Sequence, residues 1–205
     1  MTLISPPHIP STQKHRQWPL LAVIASAFII FGLLPPPNAR AAERDTYQSN
    51  GITFSIAVRT PEQIRAFYAG REFPEAAINE IASRCMLTVG IRNNSGDIVW
   101  LEPATWRFVT TQGSEVPRVS REAWAQRWEQ LAIPPASRAT FGWTQLPESR
   151  DLYPGETAGG NIAVVPPDGA FTVTAVFATG EDKRGTPVKF VSAPLTCDKP
   201  SEVQP

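Results

Sequence analysis

Short segments in which apolar and polar residues alternate recur along the chain, and this pattern constrains the fold more than any other feature. Residues 52–58, ITFSIAV, carry apolar side chains at every second position, and residues 86–92, MLTVGIR, repeat the pattern. Alternation with a period of two places the apolar side chains on one face of a β-strand. We predict eight strands, which begin at residues 52, 86, 98, 106, 139, 158, 171 and 188.

Turn-forming residues separate these segments, as in NNSG at 93–96, which joins two strands into a hairpin. Many short strands with regular turns are typical of an antiparallel β-sandwich. Prolines at segment ends fit this arrangement, because proline is tolerated at strand edges and in turns. The pattern therefore predicts a mainly-β protein with an antiparallel sandwich.

Two segments replace the alternation with the period of a helix. The first segment is 61–83. Thr60, just before it, can cap a helix that starts at Pro61, and Gln63 completes a capping box. Residues 120–131, SREAWAQRWEQL, form a second helix with Ser120 as its cap. The apolar stripe of this helix consists of Trp124, Trp128 and Leu131. We therefore expect a sandwich with two short helical insertions.

The first 41 residues differ from the rest. Lys14 and Arg16 precede an uncharged apolar run at 18–34, and small residues follow at Ala39 and Ala41. This is the order of a secretory signal peptide, so we expect cleavage after Ala41 and a periplasmic or secreted chain. The alternative is a membrane anchor formed by residues 18–34. Beyond the signal peptide we expect a polar leader at 42–50, the sandwich domain at 51–197 and a disordered tail at 198–205.

The two cysteines, Cys85 and Cys197, lie far apart in the sequence, so they form no local metal-binding or redox motif. An exported chain meets an oxidising compartment, and we expect one disulfide between them. Two unpaired buried thiols, or a reactive Cys85 beside Arg84, are the alternatives.

Composition excludes several classes of function. Both histidines, His8 and His15, fall within the signal peptide, so the mature chain has no Ser-His or Cys-His pair and no histidine metal ligand. The sequence also lacks a Gly-rich phosphate loop. We expect no catalytic residue, no metal and no cofactor. Without basic clusters the mildly acidic mature chain is not expected to bind nucleic acid.

The segments LTVGIRNN, IVWLEP, WRFVTTQGSE and LYPGETAGGNIAVVPPDGAFTV together carry a family resemblance. Over roughly residues 86–197 the chain resembles the immunoglobulin-like, telokin-like extracytoplasmic domains of bacteria. This resemblance implies an immunoglobulin-like β-sandwich and a binding or accessory role. It carries over no catalytic residue.

Together these observations predict an exported, non-enzymatic binding or accessory module of the bacterial periplasm or envelope, with another envelope protein as its partner. Aromatic residues and arginine dominate protein interfaces. The candidate docking surface consists of Phe67, Tyr68, Phe73, Trp124, Arg127 and Trp128. Membrane contact is expected only if the signal segment is retained, which would make the chain a membrane-anchored subunit.

Two other interpretations of these residues are open. Amphipathic helices usually bury their apolar stripe, so both insertions could cap the sandwich and bind nothing. Aromatic faces with acidic residues could instead serve a carbohydrate-binding or carbohydrate-active sandwich. The candidate acids are Glu102, Glu129, Glu148 and Asp151.

Overall fold

The computed structural model describes residues 44–198, and the predicted signal peptide lies outside this range. The strands are β1 Asp45–Ser49, β2 Ile52–Arg59, β3 Cys85–Asn93, β4 Val99–Leu101, β5 Arg107–Thr110, β6 Arg150–Leu152, β7 Thr157–Val164, β8 Phe171–Thr179 and β9 Val188–Val191. The α-helices are α1 Pro61–Ala69, α2 Glu75–Ala82, α3 Arg121–Gln130 and α4 Pro135–Thr144. Seven of the eight predicted strands are present, and β1 and β6 are additional.

The strands pair into two sheets. The first has the order β1-β2-β3-β7. In the second, β8 pairs with β5, β4 and β9, and β6 pairs with β4. Every pair of described strands is antiparallel, so the predicted mainly-β antiparallel sandwich is confirmed. The finer prediction of an immunoglobulin-like topology stays a prediction.

The apolar faces of the two sheets meet in an aromatic core. The ring of Phe54 on β2 lies 6.0 Å from that of Phe177 on β8 and 5.6 Å from that of Phe190 on β9. Trp106 completes the cluster at 5.6 Å from Phe54. Burial of one such side chain stabilises the fold by about 1.5 to 3 kcal/mol. The alternating apolar side chains of the strands thus form the contact between the two sheets.

Residues 45–49 form an edge strand, which corrects the prediction of a polar leader at 42–50. A two-residue turn, Asn50 and Gly51, joins β1 to β2, and both residues have positive φ, 49° and 74°. Asn-Gly is the preferred pair for this type I′ hairpin turn. The hydroxyl of Tyr47 accepts a 2.7 Å hydrogen bond from the backbone N–H of Ala193. This bond ties the hairpin to the C-terminal segment.

The predicted helix starts are confirmed. The Thr60 hydroxyl accepts a hydrogen bond of 3.2 Å from the backbone N–H of Gln63, whose side chain accepts one from the Thr60 backbone. The Ser120 hydroxyl accepts a bond of 3.1 Å from the N–H of Ala123. Each cap satisfies a donor that the first helical turn leaves free.

The segment 139–146 was expected to be a strand, and this prediction is wrong. Residues 135–144 form α4, so the second insertion contains two helices. Pro135 occupies the first helical turn, where its fixed φ favours a helix. Phe141 is buried, whereas Trp143 points into solvent. In the sequence the two rings are two positions apart, which is the spacing of apolar residues on one face of a strand, whereas the helix turns them to different sides.

The helices cover the outer face of the first sheet and form a second apolar core. Tyr68 from α1, Ile81 from α2, Trp128 from α3 and Phe141 from α4 belong to one buried cluster. Met86 of β3 and Ala163 of β7 contribute from the sheet. The molecule therefore has three layers, with two sheets and one helical layer.

A disulfide joins Cys85 to Cys197, which confirms the predicted pairing. Their Cα atoms are 5.6 Å apart. Cys85 is the first residue of β3 in the first sheet, whereas the segment before Cys197 bridges to β8 of the second sheet through Leu195 and Phe171. The bond therefore links the two sheets.

Candidate binding groove

The aromatic residues of the predicted docking surface come together but do not form a surface. Tyr68, Phe73, Trp124 and Trp128 are buried, and Phe67 is 38% exposed. The rings of Trp124 and Trp128 stack at 4.9 Å, and both contact the edge of Phe141. The two insertions share one buried apolar cluster, of which Phe67 is not a member. Its use as a docking surface is wrong, because the cluster lies between the helices and the first sheet.

The sixth predicted residue, Arg127, links the second helical insertion to the first through an ion pair. Its Nε donates a hydrogen bond of 2.7 Å to Glu80 on α2, and Arg84 donates a second bond to the same carboxylate. Burial would raise the pKa of Glu80, but the hydrogen bonds from the two arginines outweigh it and hold the pKa below its ordinary value. The site is therefore an ionised structural contact at neutral pH.

A groove of about 650 Å³ lies on the outer face of the first sheet, between α1 and the end of α4. Its walls come from the two helices and its floor from β2, β3 and β7. The lining consists of Arg59, Gln63, Ile64, Phe67, Tyr68, Thr88, Trp143, Thr144, Gly160 and Asn161. This volume falls within the range of small-molecule binding sites in proteins.

The floor of the groove is a row of hydrogen-bonded polar side chains. Nε of Arg59 donates a bond of 2.8 Å to the Thr88 hydroxyl, which donates one of 2.8 Å to Oδ1 of Asn161. These residues lie on β2, β3 and β7. Strand pairing puts them side by side, since Thr88 is directly opposite both Ala57 and Asn161. The row holds three polar groups in fixed positions beneath the groove.

Trp143 dominates the rim of the groove. Its side chain is 89% exposed, more than any other large hydrophobic side chain among the described residues. Phe67 on α1 is the second exposed ring that lines the groove, and the guanidinium of Arg71 lies 3.5 Å from its centroid. Two exposed aromatic rings therefore border the groove, beside the polar side chains of its floor.

Tyr68 connects the groove to the helical core. Burial raises its pKa, and hydrogen bonds with Thr144, Asn161 and Gln145 offset part of this rise. The bond between the Tyr68 and Thr144 hydroxyls measures 2.9 Å. The phenol therefore stays protonated at neutral pH, where it helps to fix α4 against α1.

A smaller cavity of about 180 Å³ lies between α3, α4 and β7. Its lining is mainly apolar and includes Trp124, Trp128 and Phe141. Arg118 and Glu148, which also line it, form two hydrogen bonds of 2.9 and 2.8 Å. Arg121 and Arg138 line it as well, but its volume is less than a third of that of the groove.

The acids that the carbohydrate interpretation named are not brought together. Glu102 pairs with Lys183 at 2.6 Å, Glu148 pairs with Arg118, and Glu129 is exposed on α3. Among the described residues that line the groove, none of these four acids appears. Within residues 44–198, no three His, Cys, Asp or Glu side chains cluster as metal ligands would.

Sequence reasoning missed Arg59, Thr88, Trp143 and Asn161 as site residues. The first, second and fourth come from strands distant in sequence, and only the register of the sheet unites them. The sequence pattern predicts a strand around Trp143, and on a strand this residue would share a face with the buried Phe141. The available signal was Pro135, which marks the start of a helix that ends near Trp143.

Comparison with known proteins does not assign a family. No protein-family model matches the chain, and no curated protein matches it. One similar crystal structure is that of a "putative lipoprotein (ycdA)" from Bacillus subtilis, with 10% identity and a TM-score of 0.40. It is matched over 72% of this chain, which spans 38% of its length. The yjhA protein of Bacillus subtilis is 12% identical, with a TM-score of 0.37, over 63% of this chain and 76% of that one.

The helices of the described chain are short. Within residues 44–198, none has the length and hydropathy that crossing a bilayer requires.

Proposed function

We propose that the protein is an exported binding module that holds a carbohydrate in the groove between α1 and α4. The observation that carries this proposal is Trp143, whose ring stands almost fully exposed beside the polar row of Arg59, Thr88 and Asn161. A sugar ring has an apolar face that stacks on an aromatic ring and hydroxyls that bond to polar side chains. The groove offers both kinds of contact.

Export is supported by two features. The disulfide between Cys85 and Cys197 is typical of proteins that fold outside the cytoplasm. The first 41 residues have the order of a signal peptide. We infer a periplasmic or secreted protein, in which the mature chain starts near Ala42. N-terminal sequencing of the protein purified from its native envelope tests this, and a chain that retains residues 18–34 would support a membrane anchor instead.

An envelope protein as partner was the first expectation from the sequence. Of the five aromatic residues that carried this expectation, all but Phe67 are buried, so they no longer support a protein interface. The groove has a fixed polar floor and a single rim tryptophan, which suits a small ring better than a broad partner surface. The carbohydrate is therefore the occupant for which we argue.

Titration calorimetry with a panel of envelope and plant oligosaccharides tests the proposal. We expect at least one oligosaccharide to bind the wild-type protein, and Trp143→Ala to weaken this binding at least tenfold through loss of stacking. Tyr153→Ala is the matched control, since Tyr153 is 53% exposed and does not line the groove. This control is expected to bind as the wild type does.

Two outcomes overturn the proposal. The first is that no oligosaccharide in the panel binds. The second is binding that Trp143→Ala leaves unchanged, because the ligand would then lie outside the groove. If an envelope protein co-purifies with the wild type but not with Trp143→Ala, the groove binds protein and the carbohydrate assignment is replaced.

A further inference from the structure

Arg59 is a half-buried cation at the floor of the groove. Its Nε bonds to Thr88, but its two Nη groups donate no hydrogen bond to any described residue. Among the ion pairs of residues 44–198, none includes Arg59. Neither Nη group is among the buried side-chain atoms without a partner in residues 44–198, so both are open to the groove, where an anion can replace water as their partner.

Arg59 sets the charge of the groove lining. Among the described residues that line the groove, Arg59 alone carries a charge. The guanidinium of Arg71 lies against Phe67, the ring on the α1 wall. Arg71 bonds through Nη1 to the Phe67 carbonyl at 2.9 Å and follows the C-terminal end of α1, whereas Arg59 precedes its N-terminal end. The groove therefore attracts an anion.

The chemistry of the guanidinium selects the kind of anion. Two N–H groups of arginine can donate parallel hydrogen bonds to the two oxygens of a planar carboxylate. Because Nε is already held by Thr88, the guanidinium plane is oriented before a ligand arrives, which reduces the entropy lost on binding. The free Nη groups fit a carboxylate that lies beside the aromatic rim.

We propose that the ligand of the groove is an acidic sugar whose carboxylate binds to Arg59. This proposal rests on the proposed carbohydrate function and names its substrate class. A uronic acid combines a ring face for Trp143 with a carboxylate for Arg59. The Thr88 and Asn161 side chains, which form the rest of the polar row, orient the guanidinium.

The test compares acidic oligosaccharides with the same molecules after chemical reduction of their carboxyl groups to hydroxymethyl groups. The two molecules of each pair have the same sugar rings and differ in charge. We expect the acidic form to bind the wild-type protein at least tenfold more tightly. This preference should shrink as salt rises from 50 to 500 mM, since added ions screen charge attraction.

Variants of Arg59 separate its role from that of the rim. Arg59→Gln should bind the two forms equally, with its affinity for the reduced form close to that of the wild type. Arg59→Lys should keep part of the preference, because it retains the charge but not the planar pair of donors. Trp143→Ala should weaken the binding of both the acidic and the reduced oligosaccharide. Equal unfolding midpoints for the wild type and the Arg59 variants show that the floor is intact.

The outcomes distinguish the two proposals. If the wild type binds both forms equally, or prefers the reduced form, the acidic-sugar proposal is wrong and the carbohydrate function stands. If Arg59→Gln keeps the preference for the acidic form, another residue binds the carboxylate and the assignment to Arg59 is wrong. If neither form of any pair binds, the acidic-sugar proposal is wrong, and the carbohydrate proposal is wrong as well if no oligosaccharide of the wider panel binds.

Discussion

The carboxylate of Glu80 on α2 accepts a hydrogen bond of 2.7 Å from Nε of Arg127 on α3, which lies 47 residues further along the chain. Glu80 is buried, and Arg84 donates to its other oxygen. This contact joins the two helical insertions, which β3, β4 and β5 separate in the chain. It therefore fixes the relative position of helices that together cover the first sheet.

Glu80→Gln is expected to lower the free energy of unfolding at pH 7 by about 1 to 3 kcal/mol, because two arginines lose their charged acceptor. The folded pKa of Glu80 lies below its ordinary value of 4.5. Its stabilising contribution is therefore fully present above pH 4.5 and is lost as the pH falls through the folded pKa. Urea denaturation at pH 7 and pH 3 measures both effects.

The matched control for this substitution is Glu129→Gln on α3, since Glu129 is exposed and forms no ion pair with a described residue. We expect it to change stability by less than about 0.5 kcal/mol. A Glu80→Gln variant as stable as this control at pH 7 would contradict the structural role of the contact.

Replacing a buried and an exposed tryptophan is expected to change stability by very different amounts. Trp128→Ala should destabilise the protein by about 3 to 5 kcal/mol, since it leaves a cavity in the helical core. Trp143→Ala should change stability by less than about 0.5 kcal/mol, because the side chain is exposed. Thermal and urea unfolding provide the comparison. A Trp128→Ala variant with unchanged stability would mean that this residue is not a core residue.

Local features account for what could be predicted from the sequence. Alternation with a period of two indicated the strands that form the sandwich core, and the caps at Thr60 and Ser120 marked helix starts, because both signals depend on neighbouring residues. The Asn50-Gly51 pair was an equally local signal for the first hairpin, and it was overlooked.

What could not be predicted depends on packing. An apolar stripe such as that of Trp124 and Trp128 looks the same in sequence whether it faces the protein core or a partner. The short apolar run around Phe141 fits a strand and a helix equally well. To predict the groove, one would need the register of three strands, because that register brings Arg59 to Thr88 and Asn161.

The disulfide is expected to contribute about 4 to 5 kcal/mol to stability, because it closes a loop of more than one hundred residues in the unfolded chain. The double variant Cys85→Ala, Cys197→Ala should therefore unfold at a lower urea concentration than the wild type. Reducing agent should lower the unfolding midpoint of the wild type and leave that of the double variant unchanged. Mass spectrometry of unreduced protein that detects two free thiols would contradict the pairing.

Two glycines near the groove form a matched pair for the last prediction. Gly160 on β7 lies so close to the segment after α4 that a Cβ there would come within 2.6 Å of the Gln145 carbonyl carbon. Gly160→Ala must push this segment away, and we expect a loss of about 1 to 3 kcal/mol. Gly142 within α4 has open space around its Cβ position, so Gly142→Ala should stabilise the helix by about 0.5 to 1 kcal/mol.

Urea denaturation of the two glycine variants measures the difference, and the chemical change is the same in both. If Gly160→Ala is as stable as Gly142→Ala, the end of α4 does not pack against β7 as described. The position of Trp143 depends on that contact, because α4 ends one residue after it and the next residues, Gln145 and Leu146, run beside β7. Gly160→Ala is therefore also expected to weaken oligosaccharide binding, whereas Gly142→Ala should leave it unchanged.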